Sequence, residues 1–203
     1  MRVRKGVAKT SMLIVFRLPY IQLELLSLLA IITAYKPQMA YKQKLEQKIG
    51  EALGLEMAAQ KAVEELSLKG LLDQGGLKGK LEGMRKEAGN HQIQLEELVE
   101  KLSQSEQLDS ENIQEVAKET TQKASEIMKT YLGEEPDSSE AIEFLCLAEG
   151  GEVTHYEVLS AMTKGVKNRQ FATKVKSILQ EEKKHLQMCT RLAKQNATIT
   201  TNS

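Results

Sequence analysis

The chain has no surplus of either charge: Lys and Arg together number 28, and so do Asp and Glu. That balance leaves no field strong enough to hold nucleic acid, and no basic stripe occurs beyond the first nine residues. Cysteine is nearly missing. Cys146 and Cys189 both fall in helical patterns without metal-ligand spacing between them, which excludes a disulfide scaffold and suits a reducing compartment. Tryptophan is absent, and there are only three prolines among 203 residues to interrupt helices. No run of alternating β-branched residues is long enough to argue for a sheet. A P-loop, a dinucleotide fingerprint, a Cys-x-x-Cys pair and a nucleophile elbow are all lacking. What the chain has in abundance is Ala, Glu, Lys, Leu and Gln, the strong helix formers. Its length suffices for one well-buried domain with room for an appendage.

The first 38 residues differ from the rest. Met1 to Lys9 is basic and Ser11 to Tyr35 is mostly apolar, long enough on length alone to cross a bilayer. Arg17 and Glu24 argue against a span, each costing roughly 2.5–3.5 kcal/mol at mid-membrane. Pro19 would break a helix there. Three readings of residues 1–38 follow: a translation start that belongs at Met39, a membrane anchor or signal-like segment over 12–35, or a soluble extension. The first and third make the protein cytoplasmic, and the second ties it to a membrane.

Residues 39–195 read as helices with short turns. One helix is expected from Tyr41 to about Leu72, ended by Asp73-Gln74-Gly75-Gly76. A second runs from about Leu77 to Leu102. A shorter one, capped by Ser110, carries Ile113, Val116, Thr120, Ile127 and Tyr131 on its apolar stripe. Asp137 with Glu140 forms a capping box for a helix from about Ser138 to Lys164. After a turn at Gly165–Asn168 the last helix reaches about Lys194, and residues 196–203 form a disordered tail. Short turns imply antiparallel neighbours. The expected fold is all-α: an antiparallel four-helix bundle whose one long crossover contains a short extra helix.

Charged side chains interrupt the apolar stripes of all four long helices. The last stripe runs Phe171, Val175, Ile178, Glu182, His185, Cys189, Leu192, in steps of three or four that keep to one face. The first runs Leu45, Ile49, Ala52, Glu56, Ala59, Val63, Leu66, with Glu56 its only charge. The second places His91 at a core step, with Glu87 one turn earlier on the flank. The third allows two equally regular stripes. One is Ile142, Leu145, Glu149, Glu152, Tyr156, Leu159; the other is Leu145, Ala148, Glu152, His155, Leu159, Met162. Glu152 is inward on both, and His155 only on the second. An inward charge is costly unless paired, and a metal ion is one of the few partners that suits several carboxylates at once. No inward Lys or Arg is available on these stripes. Tyr156 lies beside the expected site, as a redox-active or hydrogen-bonding group or as an ordinary core residue. Gly150-Gly151 also needs a reason, since each glycine costs a helix about 1 kcal/mol against alanine. A π-bulge, the close approach of a helix or substrate, or a helix that begins after Gly151 would each supply one.

Glu56 precedes His91 by 35 residues and Glu152 precedes His185 by 33. Each half of the chain thus offers a helix with an inward carboxylate, followed by one with a Glu and a His. In this, residues 42–194 resemble the ferritin-like di-iron and di-manganese carboxylate bundles (ferritins, bacterioferritins, rubrerythrins and small stress-associated relatives). The likeness is strongest in EGGEVTHYE (Glu149–Glu157) and EEKKH (Glu181–His185). The first half departs from it: Glu87 and His91 are four apart, and position 90 is Asn. The resemblance implies two iron ions, or manganese, held by Glu56, Glu87, His91, Glu149, Glu152, His155, Glu182 and His185. Glu152 or Glu149 would bridge the ions, with Glu182 or Glu87 as further bridges. It further implies Tyr156 as a catalytic group, dioxygen or peroxide as substrate, ferroxidase- or peroxidase-type oxidoreductase chemistry in oxidative stress, and a homo-oligomer, dimer or larger. The alternative is a non-catalytic helical bundle acting in oligomerisation or partner binding. It predicts Lys or Arg paired with Glu152 and Glu182 in the core, where the metal reading predicts carboxylates that converge on one another.

Overall fold

A computed structural model of the protein describes residues 18–73 and 76–200, with side chains described over 37–73 and 76–197. The described residues are helical almost throughout and include no strand. Five α-helices follow in chain order: α1 (Leu18–Leu68), α2 (Leu77–Ser105), α3 (Ser110–Leu132), α4 (Ser138–Met162) and α5 (Arg169–Thr200), with a 3-10 turn at Thr163–Gly165. The chain divides into two compact units, Met1–Gln43 and Lys44–Ser203.

Two differences from the expected element bounds stand out. Helix α1 begins at Leu18, well before Tyr41, and contains Pro37. Pro19 falls in its first turn, where a missing N–H costs nothing. Helix α5 continues to Thr200, past the point where the tail was expected to begin. Among the described residues no helix is long and apolar enough to cross a membrane. The side chains of the anchor-like segment at 12–35 lie outside the described residues.

Local chemistry accounts for the inner boundaries. The Asp137 carboxylate accepts from Ser139 N and Glu140 N while Glu140 reaches back to the Asp137 amide, which is the expected capping box at the start of α4. At α3 the cap is Asp109, not Ser110: its carboxylate accepts from Glu111 N and Asn112 N. Buried Glu46 on α1 adds to this end of α3, accepting from the Asp109 amide at 2.8 Å. A carboxylate suits the positive end of a helix.

The stripes of α1, α2 and α5 are buried as expected apart from half-buried Ala59. On α4 the stripe through Glu149, Glu152 and Tyr156 is the buried one. On α3 the expected stripe is rotated. The buried residues are Ile113, Ala117, Thr121, Met128 and Leu132, and Ile127 and Tyr131 are exposed. Helix α3 also approaches α1 closely. A methyl group added at Gly50 would meet Ile113 O and Val116 Cβ at 2.7 Å, and one at Gly54 would meet Ala117 O at 2.5 Å. Thr121 Oγ1 donates to Gly54 O across this seam. The two glycines let the α3 backbone at Ile113 and Ala117, with the side chains of Val116 and Thr120, pack directly on α1. An apolar core of Leu66, Leu72, Leu81, Met84, Ile142, Phe144 and Leu145, with others from all five helices, fills the bundle on one side of the charged stripe positions.

Candidate metal centre

Each long helix delivers its charge to the interior because the residues a turn before and after are apolar and must be buried. On α5, Ile178 and Cys189 bracket Glu182 and His185, and all four are buried. Burial of those apolar neighbours, worth roughly 1.5–3 kcal/mol for a large side chain, drags the carboxylate and imidazole inward. Glu56 on α1, His91 on α2, and Glu149 and Glu152 on α4 arrive in the same way, each less than 5 % exposed.

Their ligand atoms form two groups, Glu56–His91–Glu182 and Glu149–Glu182–His185, in each of which the three atoms lie within 4.8 Å of one another. Glu182 belongs to both. His91 Nδ1 sits 2.8 Å from Glu182 Oε1 and 3.2 Å from Glu56 Oε1, yet is out of line for a hydrogen bond with either. His185 Nδ1 lies 3.4 Å from Glu182 Oε2 and 3.7 Å from Glu149 Oε2. Among the described residues, five buried side-chain polar atoms lack a hydrogen bond. Four of them are Glu56 Oε2, His91 Nδ1, Glu149 Oε2 and Glu182 Oε1. Buried polar atoms without a hydrogen bond are rare in a folded interior. Three of these four are carboxylate oxygens, which a cation would satisfy.

The outer face of each imidazole is held by a carboxylate from the other helix. His91 Nε2–H donates to Glu181 on α5 at 2.7 Å, and His185 Nε2–H donates to Glu87 on α2. This reciprocal pairing aims both Nδ1 atoms inward, as a carboxylate on the far nitrogen commonly does for a metal-binding histidine. Glu87 is half exposed, and its hydrogen bond places it on the rim, outside both groups of three. His155 is turned away: its Nδ1 contacts Gly151 O at 2.9 Å and its Nε2 lies 3.3 Å from Glu51. Tyr156 is fully buried and its hydroxyl donates to Glu56 Oε1 at 2.5 Å. Glu152 is buried beside Glu149 and Glu182 and belongs to neither group of three.

Charge crowding perturbs every member. Burial, aided by the nearby Glu182, pushes Glu56 up to about 7. Burial and the neighbouring carboxylates raise Glu149 and Glu152 well above the usual carboxylate range. Burial alone would lower the imidazoles, but the surrounding carboxylates outweigh it. They lift His91 to about 11 and His185 to about 9. Glu182, despite its burial, is pulled down to about 2 by the two imidazoles. Burial and Glu56 hold the Tyr156 phenol protonated, well above its ordinary value.

Glu181 and Glu51 were not singled out from the sequence. The signal for Glu181 was present: Glu87-x-x-x-His91 and Glu181-x-x-x-His185 are the same spacing, so the i, i+4 pair in α2 is the rim carboxylate repeated. The α2 position that corresponds to Glu182 is Ala88, which makes the cluster asymmetric. No protein-family model matches the chain, and no curated protein or solved structure matches it either.

Proposed function

We propose that the protein is a ferritin-like metal protein, an antiparallel four-helix bundle that holds a dinuclear iron site, or manganese, for iron oxidation or peroxide handling. The observation that carries this is two buried groups of ligand atoms that share Glu182 and include orphaned atoms of Glu56, His91, Glu149 and Glu182. The donor set supports it, since mixed carboxylate and imidazole ligands suit these ions. Glu56, His91 and Glu182 would hold one ion, and Glu149, Glu182 and His185 the other, with Glu182 between them and Glu152 in reserve. When bound, such ions supply redox electrons and Lewis acidity toward dioxygen or peroxide. The chain's own part is to position and to exclude. Tyr156 orients Glu56, Glu181 and Glu87 orient the imidazoles, and the apolar stripe residues keep water out.

The non-catalytic alternative needs Lys or Arg beside Glu152 and Glu182. No Lys or Arg is among the buried side chains described, and the ion pairs of Glu182 are with His91 and His185. The antiparallel arrangement draws support from the short turns between α1 and α2 and between α4 and α5. Free Cys146 and Cys189 suit a cytoplasmic setting. A homo-oligomer belongs to the same reading by resemblance.

Anaerobic reconstitution of the full chain with ferrous iron tests it. We expect about two irons per chain, as the paired-site constellation requires, with near-ultraviolet absorption appearing in air. Both should be lost in a Glu182→Ala/His185→Ala variant. Absence of stoichiometric iron or manganese from the wild-type protein would sink the metal reading and leave a helical interaction module.

A further inference from the structure

A cavity of about 420 Å³ opens on the charged cluster. That volume lies within the ~300–1,000 Å³ typical of small-molecule sites. Its walls come from all five helices and are carved by small side chains: Ala58, Ala59, Ala62, Ala88, Ala124 and Ala148. Glu149, Glu152, Glu182 and His185 also line it and form its buried end, where Glu149 and Glu182 present orphaned oxygens. Gly151 lines the same end. Helix α4 runs through Gly150-Gly151 without a break, and a methyl group at either glycine would touch nothing within 4 Å. Neither a bulge nor a neighbouring helix therefore accounts for Gly151. What its missing side chain provides is open space beside the carboxylates.

The exposed wall residues mark the mouth. Ile127 and Leu147 are more than half exposed there, and exposed Lys61 and Lys129 flank them. Arg85 adds a third cation, paired with Glu82, and Glu65, paired with Lys69, is the one acid among the lining residues outside the buried end. An apolar channel with a cationic mouth is complementary to an amphiphile with an anionic head.

We propose that this cavity is the substrate channel of the metal centre and takes a long-chain aliphatic carboxylate. The head group lies at Lys61 and Lys129 and the chain points toward Glu149 and Glu152. The proposal rests on the metal reading for what the centre does to the ligand, and on the cavity alone for binding. It makes the substrate an organic amphiphile in place of iron or peroxide alone.

Binding is measured on chelator-stripped full chain with a dansyl-labelled undecanoate, displaced by dodecanoate, dodecanol or dodecyltrimethylammonium. We expect probe fluorescence to rise and dodecanoate to displace it at micromolar concentration, well ahead of the alcohol and the cation. Exposed-site variants Lys61→Glu/Lys129→Glu should weaken dodecanoate by about tenfold or more, as reversal of a complementary charge does. Gly151→Ala should retain binding, and Gly151→Phe should lose it. No probe binding, equal displacement by dodecanol, no effect of charge reversal, or binding only to anionic vesicles would each overturn the proposal. Bound iron is counted separately on the Lys61→Glu/Lys129→Glu protein. Two irons without dodecanoate binding to the wild type would overturn the channel and leave the metal centre. Dodecanoate binding without iron would do the reverse.

Discussion

Glu182 contributes an oxygen to both groups of ligand atoms and is pulled down by an imidazole in each, whereas Glu149 is raised by burial and by the carboxylates of Glu182 and Glu56. The two should therefore respond differently to neutralisation. Glu182→Gln, nearly isosteric, should reduce bound iron from about two per chain to none, read by metal analysis after gel filtration. Glu149→Gln removes one member of a repelling set. It should raise the stability of metal-free protein at pH 8, where the folded state holds a proton that the unfolded chain has released, while weakening metal binding. Urea denaturation beside metal titration checks the pair. Loss of stability in Glu149→Gln would mean that its carboxylate is satisfied without metal. The inward carboxylates and imidazoles were legible because a polar residue on an apolar stripe is a one-dimensional signal. His155 was not resolved from sequence, since α4 supported two stripes equally well. Glu181 escaped because a half-exposed glutamate looks the same whether it faces water or the far nitrogen of a histidine.

The seam between α1 and α3 depends on Gly50 and Gly54, and here intrinsic helix propensity and packing oppose each other. Alanine is the better helix former by about 1 kcal/mol, but at Gly54 its methyl would press on Ala117 O at 2.5 Å and on Thr120. Overpacking of this kind costs about 1–3 kcal/mol. Gly54→Ala should therefore destabilise the protein, and Gly151→Ala, where the methyl meets nothing, should stabilise it by up to about 1 kcal/mol. Thermal unfolding of both variants decides, and the same sign for the two would refute the packing argument. Glu46→Ala should cost about 1 kcal/mol, since it strips a carboxylate from the start of α3. Amide exchange at that end of the helix would report it. Helix order, the α2 and α4 starts and the Asp137 cap could be read from sequence because turn and cap chemistry is local. The face of α3 could not. Its close approach to α1 depends on two glycines some sixty positions away in the chain.

The cluster also sets how stability depends on pH in metal-free protein. Glu56, Glu149 and Glu152 hold protons in the folded state that the unfolded chain releases near pH 4.5, so stability falls as pH rises above that value. His91 and His185 are raised as well. Their contribution is complete below about pH 6.5 and is lost as pH climbs through about 9 and 11. Glu182 opposes them, since its contribution is present above pH 4.5 and lost as pH falls toward 2. Thermal midpoints should accordingly decline from about pH 5 to pH 10, and saturating metal should flatten the decline. Metal uptake at pH 7 should release protons, because ligating groups must give them up. Calorimetry in buffers of different ionisation enthalpy measures that release, and a buffer-independent heat would contradict it. Periodicity, cap chemistry and composition were enough to establish an all-helical chain with charges on its buried faces, because each of those properties repeats within a turn or two of helix. They could not say that Glu182 is shared, that Glu87 and Glu181 cross to each other's histidines, or that small side chains from four helices leave a channel. Those are distances between residues remote in sequence, and they exist only once the helices pack.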